Sequence, residues 1–203
     1  VFQVATRSEL AMRYNDRSVL ENYHIASCFD LLLKDKYNFI SGMDPSQFKS
    51  FRELLIELVL ATDLAAHSSL IQQFAALMQD VGGSIDKACK KKADRIIVLK
   101  MCLKMADISN PTKSLFLYLP WVKRLQSEFF LQGEKEKEAG LLVSPFFNKD
   151  NCNIAKCQLS FIDHVLIPMY SVLTEYMPVS EKMMDNVLKN KEFWLENKVV
   201  THL

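Results

Sequence analysis

The chain has 203 residues, 49% hydrophobic and 24% charged, the proportions of a globular protein long enough to bury a substantial core. Lys and Arg number 25 against 24 Asp and Glu, and a formal charge of +1 gives no global field to attract nucleic acid or an anionic membrane. Five Gly and six Pro leave few turns for an all-β fold, so long helices are expected.

Ser8 to Tyr14 reads as a short helix, and Ser18 as the cap of the next, Val19 to Leu33, whose buried stripe is Leu20, Ile25, Cys28, Leu31 and Leu32. Asp44 before Pro45 matches an N-cap with Pro at the first helical position; it opens a helix to about His67 with Leu54, Leu55, Leu58 and Val59 on its core face. Leu64 to Gln79 continues helically, and Val81 to Ser84 breaks. A basic stretch from Lys87 to Arg95 leads into a helix from Asp94 to Ala106, with Ile96, Ile97, Leu99 and Leu103 at helical spacing. After Ser109-Asn110-Pro111, a helix from about Ser114 to Gln132 carries Tyr118, Trp121, Leu125 and Phe129 three or four residues apart, on one face. Gly133 to Asn153 has weak periodicity and reads as a partly mobile surface loop. Ile154 to Tyr176 is a long helix bent near Pro168, and Ser180 to about Asn197 is the last.

The cysteines, Cys28, Cys89, Cys102, Cys152 and Cys157, show no CxxC spacing and read as reduced thiols of an intracellular protein. No apolar run approaches the ~20 residues that span a bilayer, and VFQVATRSEL has no basic stretch followed by an apolar one, so the chain reads as soluble and cytoplasmic. Without an initiator Met it also reads as part of something longer.

His24, His67, His164 and His202 include no pair at i, i+4, so a complete histidine metal site is not expected from this chain. GxGxxG, P-loop and GxSxG motifs are absent, which excludes nucleotide-loop and nucleophile-elbow enzymes. What stands out is polar residues interrupting apolar helices: Glu21, Thr62-Asp63, Asp107 and Gln158. A carboxylate among core residues needs a partner. Each also has an ordinary use. Asp107 with Ser109-Asn110-Pro111 makes a turn, Thr62-Asp63 closes a helix, and Phe161, Phe129 and Leu125 fill a core. His24 and His67 read as core histidines, and Lys87 to Lys92 as a solvated loop.

The strings SELAMRYNDRSVLENYH (8–24), LVLATDLAAH (58–67), MADISNPTK (105–113), EFFLQGEKE (128–136) and KCQLSFIDHVLIPMY (156–170) fall in one order. Together they strongly resemble the catalytic domain of class I cyclic nucleotide phosphodiesterases, over nearly the whole chain. The resemblance implies an all-α compact multi-helix bundle with two divalent metal ions, zinc and magnesium or manganese, at the bottom of a pocket. It makes Asp107 the metal-binding aspartate of an ADISNP-like motif. Glu21 becomes the glutamate of an LENHH motif that holds a metal-bound water, with His24 its final histidine and Tyr23 where many members have His. Thr62 and Asp63 match an LATD motif near the second metal. Gln158 matches the glutamine that hydrogen-bonds the purine edge, Phe161 the ring that stacks on it, and Leu125 the aliphatic clamp on the other face. Tyr118, Trp121, Leu125 and Phe129 would wall the purine pocket with Asn110, Ile108 and Leu64, and Phe146 would stand at its mouth.

The family's HNxxH and HDxxH motifs, which supply the proton donor to the leaving oxygen, histidine ligands and a bridging aspartate, do not occur, and of NNxFQ only Phe2-Gln3 remain. Residues 1–203 are therefore expected to be the C-terminal two thirds of a single catalytic domain, lacking its N-terminal helices and most metal ligands, and inactive alone. The expected function is metal-dependent hydrolysis of 3',5'-cyclic nucleotides to 5'-nucleotides, ending cyclic nucleotide signalling. The alternative is a non-catalytic nucleotide- or partner-binding helical module. The Gln158 amide suits adenine or guanine according to its orientation, so cAMP and cGMP both stay open; Asn110-Pro111 is similar to cAMP-preferring members. The expected partner is the cyclic nucleotide, with no nucleic acid and no membrane segment; regulatory domains, a homodimer or membrane attachment are left to regions outside this chain.

Overall fold

The structure is a computed structural model and describes residues 1–197; His202 lies outside them. The chain divides into two units, Gln3–Asp107 and the residues from Ile108 onward. Among the described residues there are helices and turns but no strand, as the all-α reading requires.

In the first unit α1 (Phe2–Ala5) and α2 (Glu9–Arg13) are short, and the Ser8 hydroxyl caps α2 by accepting from Ala11 N at 3.2 Å. α3 (Val19–Leu32) does not use Ser18 as its cap: Ser18 takes a left-handed backbone, φ +42°, and its hydroxyl donates to Asp63 Oδ2 at 2.8 Å instead. α4 (Pro45–Leu60) opens on a capping box, Asp44 accepting from Ser46 N and Gln47 N while Gln47 Oε1 accepts from Asp44 N. It ends at Leu60, short of the expected His67. Thr62 and Asp63 give the backbone other partners there, with the Thr62 hydroxyl donating to Val59 O and Asp63 Oδ1 capping a tight turn, Leu64–Ala66, through Ala65 N. α5 (His67–Asp80), the brief α6 (Ile85–Ala88) and α7 (Lys92–Asp107) follow.

The α3 stripe differs from the expected one. Leu20, Cys28 and Leu31 are exposed, whereas Val19, Ile25, Phe29 and Leu32 are buried. Two apolar rows run along this helix at helical spacing, and α4 selects the one with the larger ring. Phe29 meets Phe48 and Phe51 edge-on at 6.2 and 6.4 Å between centroids, with Leu55 and Val59 packed alongside. On α7 the buried positions are Val98, Met101 and, unexpectedly, Lys104, while Leu99 is exposed.

In the second unit the turn Asn110–Thr112 leads to α8 (Leu115–Glu138), which runs past the expected end at Gln132. Gly133 is no breaker. A Cβ there would stand 2.1 Å from the Phe147 carbonyl oxygen, so its bare surface admits the returning chain. That return is not loose: the Phe147 ring stacks on Phe129 at 4.4 Å, and the buried Glu136 carboxylate accepts from Ser144 N (2.6 Å), the Ser144 hydroxyl (2.8 Å) and Gln132 Nε2 (2.8 Å). The bond from Gln132, then those from Ser144, hold the Glu136 carboxyl below the usual carboxylate range. A lowered folded value means that this contribution is whole at neutral pH and is lost as acid carries the pH down through that value. Glu136→Gln puts an amide NH2 against at least one of these donors and is expected to cost about 1–3 kcal/mol and to flatten the acid limb of stability, read as melting temperature against pH. A variant as stable as the parent at pH 7 would refute this clasp.

α9 (Ile154–Phe161) and α10 (Ile167–Tyr176) form one long helix with a π-helical segment, Ile162–Leu166, between them. The expected irregularity at Pro168 takes this form because Pro offers no N–H to the carbonyl a turn back and its ring crowds that carbonyl. α11 (Glu181–Glu196) packs on α9, α10 and the Asn110–Thr112 turn. All five cysteines are free, and among the described residues no single helix is long and apolar enough to cross a membrane.

Candidate active site

In the first unit the polar interruptions converge on a residue that hydropathy patterning hides. Lys104 is 1% exposed, its stem filling space on the buried face of α7. Its Nζ donates to Thr62 O at 2.7 Å, Asp63 O at 2.8 Å and, at the limit, Ala61 O at 3.4 Å; the end of α4 leaves the Ala61 and Thr62 carbonyls without helical partners, and Asp63 O accepts from Ala66 N at 3.1 Å as well. Burial lowers the Lys104 pKa below its ordinary value, and the fields of Asp107, Asp63 and Glu21 oppose that shift. Glu21 and Thr62 are half-buried; Asp107, the last residue of α7, is exposed rather than buried, contrary to expectation. His24 is exposed too, so it is no core histidine, and Leu64 is exposed on the turn after Asp63.

In the second unit Gln158, on α9, is buried, and its Oε1 accepts from the Tyr118 hydroxyl at 2.7 Å. That hydroxyl accepts from Trp194 Nε1 at 3.1 Å. An indole N–H only donates, so the phenol proton is turned to Gln158. Burial pushes the Tyr118 phenol far above its ordinary range, which keeps that proton in place. The Gln158 amide thus has its oxygen occupied and its N–H donors left for another partner. Phe161 follows on the next turn, half-buried. Asn190, 2% exposed, donates from Nδ2 to Pro111 O (2.8 Å) and Lys113 O (2.9 Å), and Asn186 to Thr112 O, clamping the turn that begins at Asn110.

The expected wall on α8 is only partly a wall. Tyr118 is fully buried and Leu125 half-buried, but Trp121 is 45% exposed with the Arg124 guanidinium 5.1 Å over its ring. At about 100° per residue the buried stripe runs through Tyr118, Val122, Gly133 and Glu136, with the half-buried Phe129 on the same face, and Trp121 falls at its edge. Phe129 spends one ring face on Phe147. Ile108, Asn110 and Phe146 are half-buried, and Phe146 has a left-handed backbone, φ +67°. Sequence reasoning missed Lys104, Glu136, Asn190 and Trp194; a lone polar residue inside an apolar stripe is the available signal, and it does not say what the residue bonds.

Among the described residues no group of three or more His, Cys, Asp or Glu is arranged to hold a metal ion. The three carboxylates around Lys104 therefore do not by themselves fit a two-metal centre.

The helical fold is that of phosphodiesterase domains. The phosphodiesterase domain of a rhodopsin phosphodiesterase from the choanoflagellate Salpingoeca rosetta aligns with a TM-score of 0.88 and 32% identity, over 97% of this chain and 60% of that one. Residues 1–187 match the 3'5'-cyclic nucleotide phosphodiesterase family, and the chain belongs to it. A probable 3',5'-cyclic-AMP phosphodiesterase of Caenorhabditis elegans is 35% identical over 98% of this chain, and a Drosophila melanogaster 3',5'-cyclic-AMP phosphodiesterase, isoform F, 38% identical over 95% of it. The chain spans 30% of the length of each of these two relatives. The family is metal-dependent.

Proposed function

We propose that the protein hydrolyses 3',5'-cyclic nucleotides to 5'-nucleotides in the cytoplasm, ending a cyclic nucleotide signal, and that this chain binds the base. Water adds to phosphorus, the P–O3' bond breaks, and O3' leaves with a proton as the ribose hydroxyl. The observation that carries the reading is the buried line from Trp194 through Tyr118 to Gln158, which leaves amide N–H donors for an acceptor on a purine edge. Phe161, one turn on, supplies a ring to cover the base, with Leu125 opposite. Both purines carry edge acceptors, so the line accepts either; Asn110-Pro111 and the names of the relatives favour cyclic AMP. Ile108 and Asn110 border the pocket and Phe146 its mouth. We assign Asp107 to a site for zinc and magnesium or manganese that ligands beyond the described residues complete, with Glu21 and Thr62 beside it.

Hydrolysis of cyclic AMP and cyclic GMP by the full-length protein is the test. Turnover of cyclic AMP supports the reading, whereas binding without turnover would replace it with a nucleotide-binding module. Phe161→Ala is expected to weaken nucleotide binding by roughly 1–3 kcal/mol through lost stacking, with the fold retained. A less stable protein of unaltered affinity would return Phe161 to the core.

A further inference from the structure

We infer that Lys104 is a positioning residue for the reaction, fixing the 61–63 turn so that Glu21, Asp63 and Asp107, borne on three different segments, are gathered about one ammonium. The inference rests on the hydrolase reading above and deepens it.

The arrangement begins with what Lys104 does not do. Its hydrogen bonds go to backbone carbonyls, at Ala61, Thr62 and Asp63, and none goes to a carboxylate. The three acidic side chains act on it through space, while the ammonium fixes the path of the chain that carries two of the site's candidates, Thr62 and Asp63. From there the connection runs on. Asp63 accepts from the Ser18 hydroxyl at 2.8 Å, and Ser18 holds a left-handed φ of +42°, a conformation that a residue other than glycine keeps only where its surroundings impose it. Ser18 stands immediately before α3, and Glu21 lies in that helix's first turn. So α7, which ends in Asp107, is tied through Lys104, the turn and Ser18 to the helix that presents Glu21.

A buried ammonium is a poor means to stability, since an apolar side chain of similar volume commonly does as well or better. Orientation of neighbouring groups is what the charge adds here.

Two variants of the full-length enzyme test this. Lys104→Met keeps the stem and removes the ammonium. Ser18→Gly removes the hydroxyl and accepts the left-handed backbone without strain. For Lys104→Met, kcat for cyclic AMP is expected to fall about 10–100-fold, the usual effect of removing a group that orients a reacting one. KM should stay within about twofold, because Gln158 and Phe161 lie in the other unit and make no bond to this network. Ser18→Gly should lower kcat in the same way, and the double variant should be no worse than Lys104→Met, because both act through one connection. Parental kcat in Ser18→Gly, or additive losses in the double variant, would overturn the inference. If Lys104→Met fails to fold, the kcat and KM of Ser18→Gly decide it. A parent enzyme without turnover would overturn the hydrolase reading and this inference together.

Discussion

Full-length protein carrying Asp107→Ala is expected to lose more than about 100-fold in turnover of cyclic nucleotide, beyond the loss typical of residues that act through another, while melting at or slightly above the parent temperature. The two halves of that result come from one position. Asp107 is the exposed last residue of α7, and its carboxylate makes no hydrogen bond or ion pair among the described residues. A carboxylate at a helix C-terminus faces the negative end of the helix dipole, which costs typically about 0.3–1 kcal/mol, and alanine is the better helix former. The field of Lys104 offsets part of that cost. On these terms the fold gains little from an aspartate here, so stability and activity should part company. Near-parental turnover would remove Asp107 from the reaction; a marked fall in melting temperature would return it to the role of a turn residue.

Gly133→Ala should be the most damaging small substitution in the second unit. Its Cβ would meet the Phe147 carbonyl oxygen at 2.1 Å and the carbonyl carbon at 2.8 Å, and neither belongs to a flexible side chain. Relief requires moving the backbone of Phe147, which breaks its stacking on Phe129 and pulls against Ser144, held on both Glu136 oxygens. Overpacking a tight contact costs typically about 1–3 kcal/mol, and a backbone clash of this depth belongs at or above the top of that range. Denaturant unfolding measures it, and a loss below about 1 kcal/mol would mean that the segment from Ala139 to Asn153 moves aside freely.

What the sequence discloses about this molecule follows from how local the cause is. The start of α4 is legible because Asp44, Pro45, Ser46 and Gln47 contain every group of its cap. The end of α4 is not, because the carbonyls of Ala61, Thr62 and Asp63 turn to a lysine more than forty residues on. Along α3 two rows of apolar residues satisfy the same periodicity, and only the partner, Phe48 and Phe51, decides that Phe29 goes in and Leu31 stays out. Gly133 and the charges after it look like an ending when the reason for them, Phe147, is not yet in place. At the candidate site, the ordered strings that resemble a family bring Gln158, Phe161 and Asp107 to notice. They are silent about Trp194, which sets the direction of the proton between Tyr118 and Gln158.

The π-helical segment governs phase along the second unit's long helix. Gln158, Ile162, Leu166 and Tyr170 are spaced by four and all are buried. In an unbroken α-helix each step of four would advance about 40° around the axis, so the last of them would have wandered about 120° from the first. The wider turn at Ile162–Leu166 takes up a residue and cancels much of that drift. The Gln158 amide, proposed above to meet the base, and the side chains that seat the distant half of the helix therefore keep a common bearing. The aim of Gln158 is thus set in part by a departure from regularity on the turns beyond it.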